Sequence, residues 1–239
     1  MNISCIIPAR NEEGHLKQVL SEVLSISEIS DIIIVEGGST DKTYEVAIEV
    51  SSKNPSRVRV IKQSTSGKFN AVLLGVKVAR EDLILIWDAD GTVPLFDVTK
   101  IVKHSVKSGN PVIGDRLRGH RQQGAMQFFN FLGNWLFAIA WAPILKSKPT
   151  DLLCGTKIFN TRVFTKIPPW LLKIDPYGDF SLIATARFYD YSVESMPVNY
   201  LARNYGSTNI NRWSGGLKLL ITSIFVYFWF FKKFKFTFK

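Results

Sequence analysis

The chain has 239 residues, 46% of them hydrophobic and 21% charged, which is the balance of a folded globular protein and excludes a disordered one. With 30 Lys and Arg against 20 Asp and Glu the net charge is +10, so an anionic partner is expected. Cys5 and Cys154 cannot build a disulfide framework and the scattered His15, His104 and His120 offer no zinc spacing, which excludes disulfide-rich secreted and zinc-binding classes.

The opening residues lack the basic and long apolar stretches of a secretory leader, and the length suits one large α/β domain in a reducing compartment. Short β-branched runs at 3–7, 32–35, 58–61 and 83–87 read as buried strands. Between them, 12–24, 42–50 and 71–79 carry apolar residues at helical spacing. This β-α-β-α rhythm predicts a mostly parallel sheet flanked by helices, with ligands at the carboxyl ends of the strands. Arg10-Asn11-Glu12-Glu13, Glu36-Gly37-Gly38-Ser39 and Asp88-Ala89-Asp90 fall at those ends.

Further along, the apolar stretch 128–145 is interrupted by Asn130 and Asn134 and closed by Pro143, and reads as a helix of the core or of a membrane surface. A strand at 193–199, a polar stretch at 203–212 and a C-terminal helix follow. The apolar block 219–231 falls short of the roughly 20 residues that cross a bilayer. Behind it stand Lys232, Lys233, Lys235 and Lys239, an order that predicts an in-plane or docked helix on an anionic membrane. Nucleic-acid binders interleave basic and aromatic residues instead, so no nucleic-acid partner is expected. The chain therefore divides into a catalytic domain over 1–212 and a membrane-associating apolar and basic helix over 213–239, peripheral on the cytoplasmic face. A second copy or a membrane-protein partner is compatible with this reading.

The strongest chemical signal is Asp88-Ala89-Asp90, delivered by a buried strand to one sheet edge. Two carboxylates that close repel unless a cation separates them, which suits Mg²⁺ or Mn²⁺ shared with phosphate oxygens; a solvated Asp-x-Asp-Gly turn is the alternative. Ser39 or Asp41 suits a helix cap, Gly38 lets backbone approach a ligand, and Glu36 could bond a ribose or base. Gly67-Lys68 before a helix could bring a cation and backbone N–H groups to phosphate, or Lys68 is a surface lysine. Arg10 could be an exposed loop residue. Asp179 reads as an N-cap or a general base, and Arg203, Arg212 and Lys218 as phosphate-binding groups or partners of an anionic surface.

In this order, Ile6-Ile7-Pro8-Ala9-Arg10-Asn11-Glu12-Glu13, Val35-Glu36-Gly37-Gly38-Ser39-Thr40-Asp41, Gly67-Lys68 and Asp88-Ala89-Asp90-Gly91 resemble the inverting GT-A glycosyltransferases of family 2. Gly114-Asp115-Arg116, Gly124-Ala125-Met126, Leu153-Cys154-Gly155-Thr156-Lys157, Gly178-Asp179-Phe180 and the run from Arg203 to Trp213 look like its dolichol-phosphate mannosyltransferase-like branch. The resemblance covers about residues 3–230 and implies a GT-A, Rossmann-like fold. It also implies metal-dependent, inverting transfer of a sugar from a UDP- or GDP-sugar to a polyprenyl phosphate; the alternative is a sugar hydroxyl in polysaccharide or glycoconjugate synthesis.

Residue by residue, the resemblance puts Pro8, Ala9, Arg10, Glu12, Glu36, Gly38, Ser39, Lys68 and Ala89 around the nucleotide-sugar. It gives Asp88 and Asp90 the Mg²⁺ or Mn²⁺, and Arg116, Arg203 and Arg212 the acceptor phosphate. Asp90, Asp179 and Arg203 are the implied catalytic set. The chain departs from the pattern at Phe69, where glycine is frequent, at Gln127, where a basic residue is common, and at Asn209, often lysine.

Overall fold

The structure, a computed structural model, describes residues 2–148, 150–203, 205 and 212–236, without the side chains of 212–214 and 233–236. Asn209 and Lys239, and the side chains of Arg212, Lys233 and Lys235, thus lie outside what the structure describes. In chain order the first half runs β1 (Ile3–Ala9), α1 (Glu13–Leu24), β2 (Ile29–Glu36), α2 (Thr43–Lys53), β3 (Val58–Lys62), α3 (Lys68–Val78) and β4 (Leu83–Ile86). Then come α4 (Leu95–Ser108), β5 (Val112–Asp115), α5 (Phe128–Leu145), β6 (Lys157–Asn160), α6 (Thr161–Thr165) and α7 (Pro169–Ile174). The chain continues through α8 (Asp179–Phe188), β7 (Glu194–Pro197) and α9 (Arg212–Phe236).

The strands form one sheet in the order β3-β2-β1-β4-β6-β5-β7, parallel except that β6 runs against both its neighbours. The expected α/β sheet and its flanking helices are therefore present. Alternation along each strand feeds two cores. Ile3, Cys5 and Ile7 of β1, with Ile32, Ile34 and Leu85, pack against Leu16 and Leu20 of α1 and Ile101 of α4. Ile6, Ile33, Val35, Ile84 and Ile86 face the other way, onto Val72 of α3, Trp141 of α5, Phe180 of α8 and Val226 of α9. Both faces are covered, which is why these strands read as continuous apolar runs.

The reversal of β6 has a positional consequence. Parallel β1, β2 and β4 bring their carboxyl ends to one edge, whereas β6 brings its first residue there, with Lys157 opposite Ile86 of β4. Residues 154–157 therefore join the edge where residues 10–13, 36–39 and 88–90 emerge.

One sequence expectation needs correction. The apolar C-terminal block is not short: α9 is a 25-residue helix, and its window Gly215–Lys232 has mean hydropathy 1.3, long and apolar enough by composition to cross a membrane. The same holds for α5, with mean hydropathy 1.5. The apolar block begins at Leu219 by sequence because Gly215, Gly216 and Lys218 interrupt the run without interrupting the helix. One side of α9 is fastened to the domain. Trp141 Nε1 donates to Ser223 Oγ at 2.7 Å, Thr222 Oγ1 donates to the Ile174 carbonyl at 2.6 Å, and Trp229 stacks on Phe188 with ring centroids 4.7 Å apart. Its other side exposes Leu217, Leu220, Ile221, Ile224, Phe225 and Phe228.

Ser223→Ala would leave the fully buried Trp141 N–H without its acceptor. A loss of about 1–3 kcal/mol is expected, read from the urea midpoint at unchanged m-value; an unchanged midpoint would mean that α9 is not held there.

Candidate active site

Backbone geometry assembles the first two loops. Asn11 at the end of β1 takes φ 55°, and Gly38 takes φ 75°, a left-handed conformation that glycine adopts without strain. The Asn11 amide donates to Ser39 Oγ at 3.1 Å, the Glu12 amide to Thr43 Oγ1 at 2.8 Å, and the Thr40 amide to Asn11 Oδ1 at 2.8 Å. Residues 11–13 and 39–43 are thereby stapled into one wall. Glu36 turns into its own loop and accepts from the Ser39 amide at 2.5 Å, while Arg10 is exposed beside it. The residue preceding α2 is Lys42 and makes no side-chain cap; Asp41 instead accepts from the Thr43 amide at 3.0 Å. Its carboxyl is pushed up by burial, but the bonds from Thr43 and the Glu13 amide outweigh this and hold it below the ordinary value.

Asp88 and Asp90 follow β4 onto the same edge, and each meets a cation. Lys68 Nζ lies 2.5 Å from Asp88 Oδ1. Arg203 Nη2 lies 2.7 Å from Asp90 Oδ2, and its Nη1 lies 3.2 Å from Glu12. Asp90 Oδ1 also accepts from the Thr92 amide and hydroxyl, at 3.2 and 2.8 Å. The Leu201 amide donates to the Thr92 carbonyl at 2.8 Å, tying the segment that carries Arg203 to the Asp88–Asp90 turn. Burial would raise the Asp90 carboxyl, yet Arg203 and Thr92 hold it below its usual value. Burial would lower the Lys68 ammonium, yet Asp88 and, behind it, Asp179 raise it.

Glu12 behaves oppositely. Burial pushes its carboxyl up to about 7; Arg203 pulls it down in part, while Asp90, Asp88 and Asp41 reinforce the rise. Its Oε2 faces His15 Nδ1 at 3.5 Å, and burial lowers the imidazole.

The remaining expected residues fall in two places. Gly178, with φ 78°, precedes α8, so Asp179 is the first helical residue rather than the cap, and it is paired with the buried Lys157 of β6. Asp175 shapes that turn by accepting from the Gly178 and Ser181 amides at 2.9 and 2.8 Å. Arg116, after β5, is half-buried and pairs with the buried Asp151, with Nε to Oδ2 at 2.5 Å and Nη2 to Oδ1 at 3.1 Å, and lies over the Tyr200 ring. Lys157, Asp151, Asp175 and His15 were not singled out as site residues by sequence reasoning. A lysine in a short apolar strand was the one available signal, since burial requires a counter-charge.

Asp88 and Asp90 fit a hard divalent cation. Their oxygen donors suit Mg²⁺ or Mn²⁺, and Lys68 and Arg203 already mark positions where positive charge is favoured beside them. Among the described residues no third His, Cys, Asp or Glu joins them, so the remaining ligands would be phosphate oxygens and water. Gly155 permits the close seat of Asp88, because a Cβ there would overlap its carboxylate.

Residues 4–156 match the profile of glycosyl transferase family 2. The chain belongs to this family. It is 32% identical over 211 residues to the glycosyltransferase AglJ of Haloferax volcanii, covering 87% of this chain and 66% of that protein, just under two thirds of its length. It is 28% identical over 237 residues to the human dolichyl-phosphate beta-glucosyltransferase, covering 89% of this chain and 71% of that one. The fold of the glycosyltransferase is similar to that of glucosyl-3-phosphoglycerate synthase from Mycobacterium tuberculosis, solved with Mn²⁺, UDP and phosphoglyceric acid. The TM-score is 0.67 at 17% identity, over 93% of this chain and 78% of that one.

Gly155→Ala is expected to push the Asp88 carboxylate away from Lys68 and weaken Mn²⁺ binding in the presence of UDP or GDP by about tenfold to a hundredfold, read by EPR; unaltered binding would show that Asp88 is not a ligand. A carboxyl raised by folding favours the folded state below its unfolded value of 4.5 and loses that contribution as pH rises through about 7. The Tm of Glu12→Gln relative to the parent should therefore climb between those two pH values. A flat difference in calorimetric scans would contradict the burial of Glu12.

Proposed function

We propose that the glycosyltransferase moves a sugar from a UDP- or GDP-sugar to a polyprenyl phosphate, with inversion at the anomeric carbon, while lying on the cytoplasmic face of a membrane. The observation that carries this reading is the seating of α5. Its Phe137 and Trp141 pack on Phe180, with ring centroids 5.3 and 4.8 Å apart, immediately beside Asp179. The opposite side of α5 exposes Phe128, Phe129, Leu132, Trp135, Leu136 and Ile139. A long apolar acceptor thus has a surface to follow next to the charged edge, where a water-soluble sugar would gain nothing from it. The similarity to a dolichyl-phosphate beta-glucosyltransferase supports the same acceptor class.

In this reading Pro8, Ala9, Arg10, Glu12, Glu36, Gly38 and Ser39 form the nucleotide wall, with Ala89 beside it. Asp88 and Asp90 would hold Mg²⁺ or Mn²⁺, which supplies Lewis-acid stabilisation of the charge developing on the departing diphosphate. Lys68 adds a fixed cation to the same phosphates, and Arg203 keeps Asp90 ionised and aimed. Arg116, Arg203 and Arg212 serve the acceptor phosphate. A phosphate monoester oxygen is already anionic near neutral pH, so the acceptor needs no proton removed. Asp179, held by Lys157, then orders the acceptor end and is not consumed as a base.

Transfer of labelled sugar into the organic phase, with UDP- and GDP-sugars and Mn²⁺, Mg²⁺ or chelator, tests the reading. Metal-dependent label is expected there, and about 10²-fold or more should be lost in Asp90→Asn. Nucleoside diphosphate release with no organic label would remove the lipid acceptor. Asp179→Asn distinguishes the acceptor chemistry: a general base contributes about 10²–10⁴-fold, so a loss below about tenfold marks a phosphate acceptor and near-complete loss marks a hydroxyl.

A further inference from the structure

Several arginines gather around the segment 198–202, and they differ in what neutralises them. Arg116 is bidentate on Asp151, Arg118 Nε lies 2.5 Å from Asp115, and Arg203 lies between Asp90 and Glu12. Arg121 is half-buried and has no carboxylate within ion-pair distance among the described residues. Its Nη1 donates to the carbonyl oxygens of Arg116 and Leu117, at 3.1 and 2.9 Å, and its Nε and Nη2 have no acceptor among the described residues. The guanidinium lies over the ring of Phe131, 4.7 Å from its centroid.

This cation is also held in place. Arg121 forms a parallel bridge with Tyr200; the Gln122 amide donates to the Tyr200 carbonyl at 2.9 Å, and the Tyr200 amide to that of His120 at 2.8 Å. Phe131 belongs to the first turn of α5. From there Leu132, Trp135, Leu136 and Ile139 continue at helical spacing on the exposed face, beside Phe128 and Phe129, which are 70% and 79% exposed. A fixed guanidinium with unused donors therefore heads an apolar stripe. One ligand chemistry complements both features: a phosphate monoester on a long apolar chain. The guanidinium would take the phosphate oxygens by charge-assisted hydrogen bonds, and the stripe would take the first units of the chain.

We propose that Arg121 binds the phosphate of the apolar-chain acceptor and that the exposed stripe of α5 receives the chain. This rests on the acceptor reading above and adds a phosphate-binding residue to those that the sequence suggested. Arg116 and Arg203, whose charges are already matched by carboxylates, then act at the edge of that phosphate.

Flotation of the full chain tests it, using phosphatidylcholine vesicles alone, with polyprenyl phosphate, or with phosphatidylglycerol at equal charge density. Wild type is expected to prefer the polyprenyl-phosphate vesicles over both others. Arg121→Gln keeps a donor for the carbonyls of Arg116 and Leu117 but removes the charge; it should lose about tenfold or more in affinity for those vesicles, whereas Arg121→Lys should keep most of it. An equal loss on phosphatidylglycerol vesicles would overturn the proposal, making Arg121 a general surface charge. Full competition by millimolar inorganic phosphate would overturn the part played by the stripe. If wild type shows no preference for polyprenyl phosphate, the acceptor reading itself falls. If wild type prefers it and Arg121→Gln does so equally, only the role of Arg121 falls.

Discussion

Glu12, Asp88, Asp90 and Asp179 are carboxyl groups drawn to one sheet edge, and at partly desolvated sites their mutual repulsion amounts to about 4 kcal/mol for a pair 4 Å apart at an effective dielectric of 20. The edge holds because cations arrive from distant parts of the chain: Lys68 at the start of α3, Lys157 at the start of β6, and Arg203 beyond β7. None of these is a sequence neighbour of the carboxylate it meets. The site is therefore complete only when both halves of the fold are docked, which couples catalytic geometry to global stability. The reversal of β6 belongs to the same constraint, since a parallel strand would deliver Lys157 to the opposite edge.

Steric details follow from that charge arrangement. Asp88 reaches Lys68 because Gly155 leaves room for its carboxylate, and α3 reaches the Asp179 turn because the Phe69 amide donates to the Pro176 carbonyl at 3.2 Å. The Phe69 ring occupies the space where a Cβ on Gly178 would stand. A bulky residue at a position where the family resemblance implies glycine is thus accommodated by a glycine across the gap. The contact fixes Lys68 beside Asp88 and within the field of Asp179, so in the proposed function one cation would serve the donor end and the acceptor end together. Fixed charge of this kind stabilises a developing diphosphate without reorganising at the moment of reaction.

The first half of this arrangement was legible in the sequence for a physical reason: strands buried on both faces leave long apolar runs, and the loops at their ends carry the charges. Ile3–Ala9 and Ile29–Glu36 extend the expected runs by a few residues at their ends. The second half was obscure because β5, β6 and β7 are four residues each, and β6 opens on a buried lysine that contradicts a core pattern until Asp179 is placed opposite it. Ion pairs such as Arg116–Asp151 and the Glu12–His15 approach leave no local pattern either. Asp88 and Asp90 were readable because both partners of that feature lie on one short turn.

What α9 does at a membrane follows from its two sides rather than its length. To cross a bilayer by itself, α9 would leave Trp141, Ile174 and Phe188, exposing Thr222 and Ser223 to hydrocarbon without their present partners. Each such unsatisfied group costs about 1–3 kcal/mol. Lying along the surface keeps those bonds and still offers the outer row from Leu217 to Phe228 to lipid. Helix α5 is divided in the same way, with Asn134, Ala138, Trp141, Ile144 and Leu145 buried and Phe128, Phe129, Leu132, Trp135, Leu136 and Ile139 exposed. In the proposed function, two helices bonded to each other through Trp141 and Ser223, each with one face committed to the core, would make a shallow apolar platform. In the proposed membrane-bound state such a platform leaves the charged sheet edge at headgroup level, the depth at which the phosphate of a polyprenyl chain would lie.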